Sequence, residues 1–320
     1  MKAAVISTFG QIPQFIEFPE PASASEGTPV TVLASVLENF DKLVASGNHY
    51  SSQQVFPAFP AIVGTDGVGK TYDGKLVSFG QIKHPFGAFA EKAVAGYTIP
   101  VPEGIEPAKA AAIPSSVLTS LLPLKYTASI QKGDTVFING GTGVSGRIAI
   151  QVAKMLGAGN VIATGRSAQS LQLIKSLGAD EVINLQQSDE ELANAFSHAT
   201  HQYGCDIVLD FLWGHPASLL INSLIPGEVG FPQKTIRYIQ CGEKAGTHIN
   251  LPASALRTSG LQLMGVGPLT MQTVFEELNN IWAWIKEDRF YMEIECMPLS
   301  RISEAWQQDI PSGTRLVIVP

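Results

Sequence analysis

The 320-residue chain is short of cysteine and short of charge. Its three cysteines, Cys205, Cys241 and Cys296, lie far apart. They are too few for a disulfide framework, and none has the C-x-x-C spacing of a thiolate metal site. Charged residues are 15% of the chain, and cations are the scarcer kind: 21 Lys+Arg against 28 Asp+Glu, a net charge of −7. Such a chain lacks the basic footprint that a phosphate backbone requires, which excludes nucleic acid as a partner. Long apolar runs are missing too. No stretch reaches the roughly 18 apolar residues of a membrane span, and MKAAVISTFG has neither the apolar core nor the cleavage site of a secretory leader. A soluble protein of the cytoplasm is expected. What the chain does have is 45% hydrophobic residues, 30 glycines and 20 prolines. That is enough apolar surface to offset the entropy of ordering, many tight turns, and a length that suggests two domains.

The texture changes twice along the chain. The first third reads as short strands and turns: Lys2–Ser7, the alternating Pro29–Val36, a short strand from Ala61, then Gly74–Phe79, Gly87–Val94 and Tyr97–Val101. This spacing suggests a β-rich domain. Helices are predicted at Pro107–Ala112 and at Ser115–Ile130, the second kinked at Pro123. From Thr135 the pattern alternates apolar strand and amphipathic helix: Thr135–Asn139, Gly143–Leu156, Val161–Thr164, Ala168–Leu177, and onward to Leu261–Val266. That alternation implies a parallel sheet covered on both faces. After it come an amphipathic helix at Thr273–Asp288, strands at Met292–Met297 and Arg315–Val319, and a short helix at Ile302–Gln308.

The most informative segment is Gly141-Thr142-Gly143-Val144-Ser145-Gly146, which fits G-x-G-x-x-G between a predicted strand and a predicted helix. In that context the first glycine permits a tight turn, the second lets backbone approach a pyrophosphate, and the third lets helix and strand pack closely. The helix N-terminus then offers unpaired N–H groups and the positive end of its dipole to an anion. The next strand ends in Gly165-Arg166-Ser167, where NAD-binding versions carry an acid for the ribose 2′-hydroxyl. Arg166 instead offers a fixed positive charge to a 2′-phosphate, with Ser167 beside it, so NADPH is the expected cofactor.

At this point the chain resembles the zinc-free quinone oxidoreductase group of the medium-chain dehydrogenases/reductases. The resemblance covers essentially the whole chain: MKAAV, Phe59-Pro-Ala-Ile-Val-Gly-Thr-Asp-Gly67, Gly87-Ala-Phe-Ala-Glu91, Leu118-Thr119-Ser120, Lys132-Gly-Asp-Thr-Val136, the glycine turn with Ala149-Ile-Gln-Val-Ala-Lys154, and Leu177-Gly-Ala-Asp180. It implies an α/β protein in which a central Rossmann domain with a doubly wound parallel sheet (118–267) interrupts a β-rich, GroES-like catalytic domain (1–117 and 268–320). It also implies a cleft between them for the nicotinamide, and a homodimer paired through Leu261–Val266. Zinc-dependent members carry a Cys in the first domain and a His after a Gly. Here Leu37-Glu-Asn-Phe-Asp41 holds no Cys, and Thr65 stands where the His would fall, so no metal is expected.

Site residues follow from the same resemblance. Thr119, Cys241, Gly242, Gly265 and Gly267 are expected around the nicotinamide side of the cofactor. Quinone oxidoreductase-like members commonly show Asn-x-x-Asp in the first domain. Alignment on Ser46-Gly47 puts Glu38 at the Asn position and Asp41 at the Asp position, with Asn39 one residue over. Tyr50 fits the aromatic that often borders the cleft, with His49 adjoining. Tyr50, Asp41 and Asn39 are therefore the candidate catalytic residues, Asp41 as an organiser of its loop. Without a Lewis acid, reduction of a quinone or an α,β-unsaturated carbonyl is easier chemistry than alcohol oxidation. A non-catalytic NADPH-binding redox sensor and a zinc-free reductase of simple aldehydes are the alternatives. His198 and His201 are expected on a helix surface, and Trp282 and Trp284 in helix packing. Loops Gly47–Pro57 and Ile225–Lys234 are expected to shape the acceptor site.

Overall fold

The computed structural model describes residues 1–21, 27–226, 234–267 and 269–320. Along the chain run β1 (Lys2–Ile6), β2 (Gln14–Glu17), β3 (Thr28–Val36), α1 (Asn39–Ser46), α2 (Ser52–Val55), β4 (Ala61–Ile62), β5 (Gly67–Lys70), β6 (Leu76–Gly80), β7 (Lys92–Ala95) and β8 (Tyr97–Pro100). Next come α3 (Pro107–Leu122), β9 (Thr135–Asn139), α4 (Val144–Met155), β10 (Asn160–Gly165), α5 (Ala168–Ser176), β11 (Glu181–Asn184), α6 (Asp189–Tyr203), β12 (Ile207–Asp210) and α7 (Gly214–Ser223). The chain ends with β13 (Ile236–Gln240), α8 (Ala253–Thr258), β14 (Leu261–Met264), α9 (Met271–Lys286), β15 (Glu293–Pro298), α10 (Ile302–Gln307) and β16 (Thr314–Val319). Two compact units result: Met1–Ser115 with Phe275–Pro320, and Ser116–Val274.

The central unit is a six-stranded parallel sheet in the order β11-β10-β9-β12-β13-β14. All five residues of β9 are buried, as they are when helices cover both faces of a parallel sheet. One face packs Phe137, Ile162, Phe196, Val208, Leu220 and Tyr238 into a single apolar cluster. Ser188 and Glu191 close the start of α6 reciprocally: Glu191 N–H donates to Ser188 Oγ, and Ser188 N–H to the Glu191 carboxylate. The parallel sheet read from the alternation of strands and helices is therefore present, in the doubly wound order that the resemblance implies.

The other unit joins both ends of the chain in a seven-stranded sheet, β15-β16-β3-β5-β6-β8 with β7 paired to β3. The last strand reaches it by pairing with β3, Val317 opposite Val36 and Ile318 opposite Ser35. Alternate residues Val30, Val32 and Ala34 of β3 are buried, which is the periodicity visible in the sequence. A separate three-stranded sheet, β2-β1-β4, completes it.

Several elements differ from expectation. The predicted helices at Pro107–Ala112 and Ser115–Ile130 are instead one helix, α3, which runs unbroken over Pro114. The proline that changes the geometry is Pro123. It opens a π-helical turn, Pro123–Thr127, closed by Ala128 N–H donating to Pro123 O at 2.7 Å. Losing one N–H and crowding the preceding carbonyl widens the turn rather than kinking a helix that continues. α1, α8 and β2 lie where the sequence pattern shows no element; each is too short for a periodic signal. Most of the loop expected at Ile225–Lys234 lies outside the described residues.

α1 owes its start to carboxylates. Glu38 N–H donates to Asp41 Oδ2 at 2.8 Å, and Thr65 Oγ1 donates to Asp41 Oδ1 at 3.3 Å. Gly47 ends the helix at φ +83°, the left-handed geometry that glycine adopts freely. Glu38 accepts from Ser115 Oγ at 2.8 Å and pairs with Arg315 at 3.3 Å. Burial, with the nearby charge of Glu38, pushes the Asp41 carboxyl well above its usual range. The same two causes push Asp66 up to about 7, with Arg315 opposing them. The Tyr97 phenol is raised too, first by burial and then by the charge of Asp66. A carboxyl with a raised folded pKa binds its proton more tightly in the folded than in the unfolded chain. Stability therefore falls as pH rises from about 4, the unfolded carboxylate value, to about 7, where Asp66 ionises in the fold. Urea midpoints of the whole protein should be lower at pH 8 than at pH 5. Asp66→Asn should flatten that slope and raise the midpoint at pH 8. An unchanged slope in the variant would show that Asp66 does not carry it.

Candidate functional site

The glycine turn between β9 and α4 separates what folding requires from what it does not. Gly140 adopts φ +95°, and a Cβ there would meet Leu212 Cδ2 at 3.0 Å. A Cβ on Gly141 would meet the Ala163 Cβ at 2.8 Å, and one on Gly146 would strike the Gly140 carbonyl and Gly141. Those three glycines are demanded by the fold itself. Gly143 is not: its φ is −72°, and the nearest atom to a Cβ there is Gly140 O at 3.7 Å. The side of the turn at Gly143 is open to an approaching group. Gly143 is also the N-cap of α4 and has no side chain to cap it, so the first-turn amides of Val144, Ser145 and Gly146 have no side-chain acceptor from the cap. Open space, free amides and a helix N-terminus fit the pyrophosphate of a dinucleotide.

At the end of β10, Gly165 is buried against Thr142 and Leu171, which leaves no room for a side chain. Arg166 follows, exposed and engaged with no other side chain among the described residues. Ser167 is the N-cap of α5. Its Oγ accepts from Ser170 N–H at 3.2 Å and donates to Ser170 Oγ at 2.8 Å. The hydroxyl that the sequence offered to a 2′-phosphate is thus occupied by the helix, and Arg166 stands as the free cation at this turn.

The turns after β12 and β13 pack against each other through glycines. A Cβ on Gly242 would meet Phe211 O at 2.7 Å, and one on Gly214 would meet Ala245 O at 2.6 Å. Cys241, one residue before Gly242, donates its thiol to Ile239 O at 3.6 Å. Burial pushes that thiol up to about 12, so it stays protonated at neutral pH. Beside these turns lies a cavity of about 440 Å³, lined by Trp213, Gln240, Glu243, Thr247, Met264 and Gly265. Trp213 holds φ +56° with ψ −159°, a conformation costly for any residue other than glycine. The sequence pointed to Gly265 but not to Trp213, whose backbone strain has no local signal beyond the glycine that follows it. Gly267 sits at φ +88° beside Thr127, whose hydroxyl donates to Val266 O. Thr119 donates to Ser116 O at 2.9 Å, an intrahelical bond within α3.

In the unit built from the chain ends, Asn39 is the exposed first residue of α1, whereas Asp41 is buried with both carboxylate oxygens engaged. Tyr50 is 95% exposed and lies on the His49 ring, with centroids 4.1 Å apart. Phe40 meets His49 edge-on at 5.1 Å. Ser51 N–H donates to His49 Nδ1 at 3.2 Å, so in the neutral ring the proton sits on Nε2. Asn39, His49 and Tyr50 thus form an accessible polar and aromatic rim on α1 and the turn after it, and Asp41 is part of the support beneath. His198 and His201 lie exposed on α6, while Trp282 is buried in α9. Among the described residues, no three His, Cys, Asp or Glu side chains come together as a metal-ligand set.

Comparison with known proteins agrees with this geometry. A family profile described as zinc-binding dehydrogenase matches residues 145–228, a stretch wholly within the central unit. A "Probable quinone oxidoreductase" from Leishmania amazonensis is 33% identical over 132 residues, 41% of this chain and 37% of the relative. A "Probable NADPH-dependent quinone reductase" from Emericella nidulans is 26% identical over 229 residues, 68% of this chain and 63% of the relative. The chain thus spans less than two thirds of the length of either relative. Among solved structures, the quinone oxidoreductase of Thermus thermophilus, also determined as its NADPH complex, superposes with a TM-score of 0.76 at 26% identity over 100% of both chains. A six-stranded parallel sheet around a G-x-G-x-x-G turn, inserted into a β-rich unit made from both termini, gives this chain the fold of the medium-chain dehydrogenase/reductase superfamily, and its similarities lie with the quinone oxidoreductase-like group.

Proposed function

We propose that the protein is an NADPH-dependent oxidoreductase that reduces a quinone or an α,β-unsaturated carbonyl by hydride transfer without zinc. The observation that carries the cofactor half of this reading is Gly143, the one glycine of the motif that the ligand-free fold does not need. A residue held as glycine without internal reason is explained by an outside group that comes within a Cβ's distance. The amides of Val144, Ser145 and Gly146 would then hold the pyrophosphate. Arg166 would pair with the 2′-phosphate, and Gly265, whose Cβ direction is open, would leave room beside the nicotinamide. NADPH supplies the hydride.

The acceptor half rests on the relatives named as quinone reductases and on Thr65, which stands where zinc-dependent members carry a His and donates to Asp41. Glu38, at the position where quinone oxidoreductase-like members carry Asn, is tied to Ser115 and Arg315. A quinone or enone takes the hydride into its conjugated system, and negative charge collects on a carbonyl oxygen. Tyr50 and Asn39 are accessible donors for that oxygen, and His49 Nε2–H is a third. Solvent supplies the proton that completes the two-electron reduction. Catalysis is then chiefly positioning of cofactor and acceptor. β14 forms an edge of the central sheet among the described residues, and a homodimer paired along it would cover the unpaired backbone groups.

Following NADPH consumption against a panel of quinones and enones tests the activity; tight NADPH binding with no turnover of any acceptor would sink it. Arg166→Ala should raise the KM for NADPH about tenfold or more, as expected for one charge-assisted contact, and leave NADH nearly unchanged. Equal losses with both cofactors would remove the 2′-phosphate role. Gly143→Ala should keep the wild-type melting temperature yet weaken NADPH binding at least about tenfold, whereas Gly146→Ala should lower the melting temperature whether or not cofactor is present. If both variants melt like wild type, the steric division within the motif is wrong.

A further inference from the structure

A chain of fully buried polar side chains crosses four adjacent strands, at the C-terminal ends of β10, β9 and β12 and the middle of β13. Gly140 N–H donates to Thr164 Oγ1 at 2.8 Å. Thr164 Oγ1 donates to Asn139 Oδ1 at 2.9 Å, and Asn139 Nδ2 donates to Asp210 Oδ1 at 2.9 Å. Asp210 Oδ1 also accepts from Leu212 N–H at 2.9 Å and Trp213 N–H at 3.0 Å, while Tyr238 OH donates to Oδ2 at 2.5 Å. Asn139, Thr164, Asp210 and Tyr238 are each 0% exposed.

The direction of the chain is fixed throughout. Every donor points toward Asp210, so the Asn139 amide has one permitted orientation and the Thr164 hydroxyl one rotor. Burial pushes the Asp210 carboxyl up, and the four donors that converge on it oppose that shift. Its two ends are backbone: the amide of Gly140, which opens the glycine turn at φ +95°, and the amides of Leu212 and Trp213, which form the turn after β12. Apolar side chains here would leave the amides of Gly140, Leu212 and Trp213 without these acceptors, so the network does more than fill the interior. What it does supply is a fixed orientation for two turns that border the open face at Gly143 and the cavity beside Trp213.

We infer that Thr164, Asn139 and Asp210 are positioning residues for the cofactor, a hydrogen-bonded clamp that holds the glycine turn in the shape that receives the pyrophosphate. This role rests on the proposed NADPH-binding function. None of the three needs to touch the ligand; they act through the Gly140 amide and the backbone after β12.

The test compares Thr164→Val, which keeps the shape and removes the link, with Thr164→Ser, which keeps the hydroxyl. Phe196→Leu, in the apolar core of the same unit, serves as a destabilised control. NADPH affinity is read by nucleotide fluorescence, and steady-state kinetics are read with a quinone acceptor. Thr164→Val should weaken NADPH binding about tenfold or more, with kcat at saturating NADPH and the acceptor KM within about twofold of wild type. Thr164→Ser should restore affinity to within about threefold. Wild-type affinity in Thr164→Val, or a loss no greater than in Phe196→Leu, would overturn the clamp and leave a purely structural role. Hydrogen exchange on the wild type gives a second check that needs no variant to fold: the Gly140 amide should be as protected as the amides of β9, and loop-like exchange there overturns the inference. Failure of wild type to bind NADPH at all would overturn the cofactor reading and the ligand-positioning role with it. Binding by wild type that Thr164→Val leaves unchanged overturns the clamp alone.

Discussion

At Gly140, Gly214 and Gly242, in the turns after β9, β12 and β13, there is no room for a Cβ atom. Gly140 packs on Leu212, Gly242 on the Phe211 carbonyl, and Gly214 on the Ala245 carbonyl, each within about a van der Waals radius of a clash. The turns after β12 and β13 therefore interlock backbone to backbone, the turn after β9 packs on the Leu212 side chain, and a side chain at any of these glycines would force the turns apart. Interlocked turns form a continuous floor at the C-terminal edge of a parallel sheet, the edge at which open α/β sheets bind ligands. Helix α4 starts directly from this floor, so its unfilled amides inherit a fixed direction. The Asp210 network lies under the same floor and ties its backbone to the sheet. Steric closeness above and hydrogen bonding below thus constrain the same few atoms.

Much of this unit was legible in the sequence because its signals are local. The apolar run Thr135–Asn139, the glycines that follow and the amphipathic Val144–Met155 lie within about twenty residues, and each strand–helix unit repeats the same grammar. Where the signals were long-range, reading failed. Asn139, Thr164, Asp210 and Tyr238 are distant in sequence and of unremarkable type, and only the parallel register brings them side by side. Trp213 gives no sign that its backbone must take a glycine-like conformation; the Asp210 carboxylate, which accepts from Trp213 N–H, holds it there.

The unit made from the chain ends was less legible, and for a physical reason. Its key interactions join residues from opposite ends of the sequence. Glu38 looks like a misplaced acid when read along the first domain, and it becomes intelligible only once the last strand delivers Arg315 beside it and α3 delivers Ser115. The helix that Glu38 precedes is eight residues long, so its start depended on carboxylate capping and not on a periodic stripe. Prolines misled in the opposite direction: Pro114 was absorbed within a helix that tertiary packing supports, while Pro123 altered the hydrogen-bond register without ending the chain's helical course.

The glycine motif itself shows why a pattern match alone is weak evidence for a ligand. Gly141 and Gly146 would be glycines in this turn whether or not anything bound, because Ala163 and the Gly140 carbonyl leave no alternative. Counting them as evidence for a dinucleotide confuses the requirement of the fold with that of the site. Gly143 is different in kind. Its φ suits any residue, its Cβ direction is open, and its amide neighbours lack a cap. Of the three glycines in the motif it alone is not required by close neighbours, so an approaching cofactor would meet the chain at that single position. The same separation applies across the molecule: buried Asp41 and capped Ser167 are explained by the bonds they already make. Arg166, Asn39 and Tyr50 are exposed where the fold asks nothing of them. Residues of that second kind are where function has room to act.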